Sequence, residues 1–445
     1  MSFTINPYNQ DKINQYSFLS NKELELELNF INHSYDQWKQ TSNSNKQKLG
    51  LKLGQLLINE KEALATLVST EMGKPIKEAI AEVEKCKTLV DYFTQNFETF
   101  LSDVTIDENT YIHYTPTGAV FGIMPWNFPL WQVFRFVFPN IMAGNVSILK
   151  HAPNTFGCGE FLQELFLEAG FPKHVFTNVI VDIAQVEQIV AHSVVQGVCV
   201  TGSAKAGSSV ASLAGKYLKK SVLELGGTDA CVLLNDADFE TALTATFNSR
   251  MANAGQVCIA PKRIFIPHGK LNDVVDVFKT KIDELILGNP LDLKTTMGPI
   301  SKAEFLPILK DQVEKAVDLG AQLLTGGNIK SPFFEPTILI LNTDNEILKE
   351  EIFGPVICLI PYKDETTLLK DINNTDYGLG TAIWSRDILK AKNWAAQIET
   401  GYVSINKIVK SDVKYPFGGI KKSGYGKELG EDGFKTFLNA KTIAL

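Results

Sequence analysis

Past residue 118 the chain repeats one pattern, a short apolar run followed by a segment with helical spacing, and that alternation limits the folds open to it. AVFGIMP leads into a helical stretch from about Trp131, and VSILK leads into another that ends near Gly170. FTNVIV, GVCVTG with AGSSVASLAGKYL behind it, and SVLELGG continue the series. The pattern resumes after Val257 in KRIFIPHG, LNDVVDVFKTKIDELI and AVDLGAQLLTGG. Strands that alternate with helices predict parallel sheets covered on both faces, because each crossover helix returns the chain to start the next strand in the same direction. A chain of 445 residues is too long for one small core, so two α/β lobes meeting near Gly226 to Thr228 are expected.

The segment from Lys22 to Phe100 reads differently. Apolar residues recur at three- and four-residue spacing, with a break at Gly73 and Pro75, which predicts a helical layer waiting for a sheet. TIDENTYIHYTPTG then alternates, with Asp107-Glu108-Asn109 as a hairpin turn. A formal charge of -7 argues against a nucleic-acid binder, which needs clustered cations. No window approaches the ~20 apolar residues of a membrane span, and the N-terminus lacks the cationic and apolar regions of a secretory signal, so a cytoplasmic protein is expected. The six cysteines and six histidines show no spacing suited to a disulfide framework or a metal, and no metal site is expected.

Four short stretches carry chemistry. TGSAKAG (201 to 207) follows a strand and opens a helix, where glycine lets the backbone approach phosphate and the helix N-terminus supplies oriented amides. It is not GxGxxG, and a turn without a ligand is an equal reading. PWNFP (125 to 129) clamps Asn127 between prolines, which suits an amide held to donate to an oxyanion or one that only caps a turn. In LELGG (223 to 227), Glu224 sits among apolar residues, as either a general base with a raised pKa or a buried half of an ion pair. In NAGQVCIAP (253 to 261), small residues leave room around Cys258, whereas Cys86, Cys158, Cys199, Cys231 and Cys358 read as small core hydrophobes.

A thiol, an amide donor, a carboxylate base and a nucleotide turn together form the parts needed to oxidise an aldehyde to an acid. Thiolate addition makes a tetrahedral oxyanion from which hydride can leave, and the thioester that remains needs activated water. PWNFP, ILKHAP, VTGSAKAG, LELGG, GQVC, EEIFGP and PFGGIKKSG, with Cys258 following Glu224 by 34 residues, resemble the aldehyde dehydrogenase superfamily over nearly the whole chain. The resemblance implies Cys258 as nucleophile, with the Asn127 side chain and the Cys258 backbone N–H as oxyanion donors, each such donor worth roughly 100- to 1000-fold in rate. It implies Glu224 as activator of the deacylating water. Glu351 and Phe353 would hold the nicotinamide end of the cofactor, Lys150 the adenosine ribose, and Trp126, Gly202 and Ser203 would line the cofactor cleft. Pro153 stands where many relatives that prefer NAD carry a Glu, so NAD with NADP tolerated is the expected cofactor.

Within the superfamily, ILKHAPN, GQVCIAPKR, SINKIVKSD and YPFGGIKKSGYGKELG resemble the short bacterial succinate-semialdehyde dehydrogenases. That substrate has a distal carboxylate, for which the resemblance implies Arg135. The second arginine of those enzymes usually falls where this chain has Ala252, which leaves Arg250, two residues earlier, together with Lys410 and Ser411 in a tunnel loop. A general aliphatic or aromatic aldehyde dehydrogenase is the alternative, with Trp131, Phe134, Phe136 and Phe138 lining an apolar tunnel, though helix packing explains them as well. CoA acylation would leave Glu224 without a purpose. A non-catalytic binding or structural protein is the remaining class. The implied architecture is a Rossmann-like cofactor domain (1 to 100 and 117 to 224), an α/β catalytic domain (225 to 415) and a small β oligomerisation arm (101 to 116 and 433 to 445) serving a homodimer or homotetramer.

Overall fold

The computed structural model describes residues 2 to 445 and contains two mainly parallel sheets and a small antiparallel one. The first has six strands in the order Gly424–Tyr425, Lys220–Glu224, Val195–Thr201, Ala119–Met124, Val146–His151 and Phe176–Asn178. All its neighbours run parallel except the short Gly424–Tyr425 edge. Ala119–Met124 lies at its centre, with the next strand in sequence on one side and Val195–Thr201 on the other. The crevice beyond the carboxyl ends of strands at such a reversal is where open α/β sheets bind ligands.

Four helices, Asn21–Trp38, Asn43–Asn59, Lys61–Met72 and Ile76–Phe100, contribute to the same core as this sheet. Their limits follow local chemistry. Ser20 and Glu23 form a capping box at the first, and Gly73 ends the third in the left-handed region (φ 84°), a conformation that costs glycine little. Pro75 precedes the fourth, where a missing N–H costs nothing. The expected helical layer and its break are therefore present, and the chain adds an N-terminal hairpin of Ser2–Ile5 and Lys12–Tyr16 that the periodicity did not show.

The second sheet has seven strands, in the order Gln322–Thr325, Thr337–Ile340, Val356–Tyr362, Arg263–Pro267, Ala230–Leu233, Gly380–Trp384 and Tyr402–Ile405, parallel after the first pair. Separate apolar clusters cover its two faces. The third sheet pairs the hairpin Val104–Asp107 and Thr110–Pro116 with Leu438–Ala444 at the C-terminus. Among the described residues no helix is long and apolar enough to cross a membrane, and no group of His, Cys, Asp and Glu is arranged to hold a metal ion.

Candidate active site

The loops that leave the carboxyl ends of the six-stranded sheet converge with the loop that carries Cys258. Pro125, Trp126 and Asn127 follow the central strand, Gly202 and Ser203 follow its neighbour, and Glu224 ends the next. With Gln132, Cys258, Phe305, Glu351 and Phe353 they line one cleft of about 250 Å³. Trp126 stacks on Phe305 at 5.7 Å between centroids and meets the edge of Phe353 at 6.0 Å, which makes an apolar wall.

Cys258 is half-buried, and the other five cysteines are fully buried free thiols. Its loop is shaped by three consecutive left-handed residues, Asn253 (φ 50°), Ala254 (φ 53°) and Gly255 (φ 73°). Two of these carry side chains, and strain of this kind persists only when the surroundings over-determine it. The surroundings are explicit. The Asn253 N–H donates to Glu78 at 2.9 Å, and the Asn253 side-chain amide donates to the Asn127 carbonyl at 3.0 Å. A Cβ on Gly255 would lie 2.2 Å from the Gly354 carbonyl oxygen.

The buried Asn127 side chain is fixed in the same network. Its Nδ2 donates to the Gln256 carbonyl at 2.9 Å, and its Oδ1 accepts from Gln132 Nε2 at 3.2 Å. An amide held at both ends has a defined direction for its remaining N–H, which is what a preorganised oxyanion donor requires. Gln132, Asn253 and Gln256 thus orient the site. The sequence reading missed all three: Gln132 lies five residues past Asn127 outside the motif, and Asn253 and the Gln256 carbonyl reach Asn127 from more than a hundred residues away.

Burial pushes the Cys258 thiol up to about 11 and is opposed chiefly by the Lys262 ammonium and then by Arg135. Lys262 is buried, donates to the Cys258 carbonyl at 2.5 Å and lies 3.3 Å from Glu351. Glu224 is 3% exposed, and burial raises its carboxyl well above the usual range, with Arg135 pulling the other way. Arg135 Nη2 is 3.8 Å from Glu224, its Nε pairs with Glu428, and its guanidinium packs over the Phe417 ring.

Two of the sequence expectations are corrected here. Arg250 cannot receive substrate, because its fully buried guanidinium donates to the backbone carbonyls of Val356, Gly255 and Ile352 and so ties the Cys258 loop to the second sheet. Arg135 is spent on two carboxylates, Glu224 and Glu428, and does not line the chamber that includes Lys410 and Ser411. The aromatic residues of helix Trp131–Met142 pack into the core: Phe134, Phe136 and Phe138 are buried, and Phe136 fills the space over Gly122, where a Cβ would lie 2.1 Å from the ring.

The cleft fits a dinucleotide. Gly202 faces open space, so nothing obstructs a phosphate near the N-terminus of helix Ala204–Lys216, whose cap is Ser203. Gln132 Oε1, Thr201 Oγ1 and Glu224 Oε1 are buried without protein partners, and all three residues line the cleft. A Cβ on Gly226 would lie 2.0 Å from Glu351 Oε2, so glycine there lets that carboxylate fold over the strand end. Lys150 is buried on strand Val146–His151, and burial lowers its pKa.

Comparison with known proteins agrees with this arrangement. The chain is 36% identical over 452 residues to the succinate-semialdehyde dehydrogenase (NADP+) of Deinococcus radiodurans, covering 99% of this chain and 94% of that protein. It is 36% identical over 449 residues to the succinate semialdehyde dehydrogenase (NAD(P)+) Sad of Escherichia coli K12, covering 99% and 97%. The crystal structure of succinic semialdehyde dehydrogenase from Streptococcus pyogenes in complex with NADP+ superposes with a TM-score of 0.97 at 35% identity, covering all of both chains. The aldehyde dehydrogenase family profile matches residues 2 to 443, and the chain belongs to that family of oxidoreductases.

Proposed function

We propose that the protein oxidises succinate semialdehyde to succinate with NAD or NADP. One observation carries the chemistry: a half-buried Cys258 opens into the cleft that also holds Glu224 and the braced Asn127 amide. The Cys258 thiol gives its proton to solvent, its sulfur attacks the aldehyde carbon, and the carbonyl electron pair moves to oxygen. The Asn127 side chain and the Cys258 N–H stabilise that oxyanion. Bound NAD(P)+ supplies the acceptor for the hydride that leaves the tetrahedral carbon, so the aldehyde loses two electrons and Cys258 is left as a thioester. Glu224 then takes a proton from water, the hydroxide adds to the thioester, and the C–S bond breaks to release the acid and the thiolate. Glu351 and Phe353 would hold the nicotinamide end, Lys150 the adenosine ribose, and Trp126, Gly202 and Ser203 the intervening cleft wall. Pro153 places no carboxylate where a 2′-phosphate would be repelled, which supports use of NADP alongside NAD.

The substrate assignment is supported by the named relatives and by a second chamber beside the nucleophile that includes Lys410 and Ser411. Its test is kcat/KM for succinate semialdehyde against butanal, with each cofactor. A preference of tenfold or more is expected, since a charge-assisted contact contributes about 1.5 to 3 kcal/mol. Equal rates would make the protein a general aldehyde dehydrogenase. A cytoplasmic setting suits a chain whose six cysteines are all free and whose chemistry needs one as a thiol. We also propose a homo-oligomer built through the three-stranded sheet, whose outer strand Val104–Asp107 is exposed along its length.

A further inference from the structure

The chamber that adjoins the nucleophile loop is lined by Val257 and Ile259, the neighbours of Cys258, and by Lys85, Ala252, Lys410 and Ser411. With the Arg135 and Arg250 guanidinium groups committed elsewhere, the cations in its wall are lysines. Building on the proposed reaction, we infer that Lys85 is the residue that receives the distal carboxylate of the substrate, with Ser411 as the second hydrogen-bond donor.

Lys85 stands on helix Ile76–Phe100, which no chemical motif marks. Its Nζ donates to Ser411 Oγ at 2.8 Å and lies 3.9 Å over the Trp131 ring, so the ammonium is held in one place against an apolar surface. Among the described residues it forms no ion pair. The acids around it have other partners: Glu82 pairs with Lys74 and accepts the N–H groups of Leu130 and Trp131, Glu78 accepts the Asn253 N–H, and Asp412 accepts the Lys414 N–H. Burial lowers the Lys85 pKa to about 7, helped by Arg135 and Lys410. A partly desolvated cation without a counter-ion gains more from an arriving carboxylate than an exposed one does, and the other two lysines of the wall, Lys407 and Lys410, are exposed. Ala252 brings no charge to the same chamber, so Lys85 is the partly buried cation of its wall, with the Ser411 hydroxyl beside it.

The test compares wild type, Lys85→Met and Lys85→Arg with succinate semialdehyde and butanal, and measures inhibition by succinate against each. Lys85→Met keeps an unbranched side chain and removes the charge. KM for succinate semialdehyde and Ki for succinate should rise roughly 10- to 100-fold, with butanal kinetics changed less than about threefold, and Lys85→Arg should recover much of the loss. The ratio of kcat/KM for the two aldehydes adds a readout that packing alone would not move. Besides Ser411, the groups that act on the Lys85 charge are Arg135, Lys410, Cys86 and Glu82, and Glu78, Tyr402, Lys407, Asp412 and Tyr415 line the same chamber. In wild type the ratio should fall as pH rises through about 7, where Lys85 loses its proton, and in Lys85→Arg it should stay level. The proposal is overturned if Lys85→Met leaves KM for succinate semialdehyde unchanged or slows both aldehydes alike. If wild type itself does not discriminate, the substrate assignment fails with it, and the two failures are told apart by the wild-type ratio.

Discussion

Glu224 shows how burial assigns a role to a single side chain. The carboxyl lies at the end of a strand, 3% exposed, with its pKa raised by desolvation against the pull of Arg135. The basic form of a carboxyl raised in this way grows as pH rises through the shifted pKa. Thioester hydrolysis should therefore speed up as pH rises. In Glu224→Gln that rise should vanish and steady turnover should drop by roughly 100- to 10,000-fold. Stopped-flow absorbance should still show a first-turnover burst of reduced cofactor, because formation of the thioester does not need this base. Loss of the burst together with the steady rate would show that Glu224 acts before the thioester forms.

At the scale of elements, the reactive loop is held by groups from both sheets and the helical layer. Glu78 on helix Ile76–Phe100 holds Asn253, Arg250 on helix Phe239–Met251 reaches carbonyls beside the second sheet, and Glu82 accepts the N–H groups of Leu130 and Trp131, where helix Trp131–Met142 begins. The loop can hold three left-handed residues because these contacts leave it no relaxed alternative. Gly255→Ala adds a methyl 2.2 Å from the Gly354 oxygen at a φ of 73°. It should lower stability by about 1 to 3 kcal/mol and displace Cys258, read as a lower urea midpoint with a reduced kcat. Wild-type values for both would mean that the loop is not under this constraint.

For the whole molecule, the proposed assembly through the three-stranded sheet would depend on the C-terminus, since Leu438–Ala444 pairs along the full length of Thr110–Pro116. Deleting residues 438 to 445 removes that pairing. Sedimentation velocity should show a dimer or tetramer for wild type and a smaller or aggregating species for the truncated chain, and a wild-type monomer at micromolar concentration would refute the proposed arm. The alternation after residue 118, the helical layer and the hairpin turn were legible in the sequence because each rests on a local period or a local turn. The stretches that bring Cys258, Glu224 and Asn127 into one cleft were also picked out in the sequence, since each motif lies within a few residues. The destinations of the arginines were not: Arg135 and Arg250 read alike as lone cations, and only the packing of distant segments turned one toward Glu224 and Glu428 and the other into backbone carbonyls. Lys85 carries no motif, and only the approach of the loop bearing Ser411 to its helix gave it a place in the chamber. Short-range chemistry is written along the chain, whereas the partner of a buried charge is decided by which remote segments fold against it.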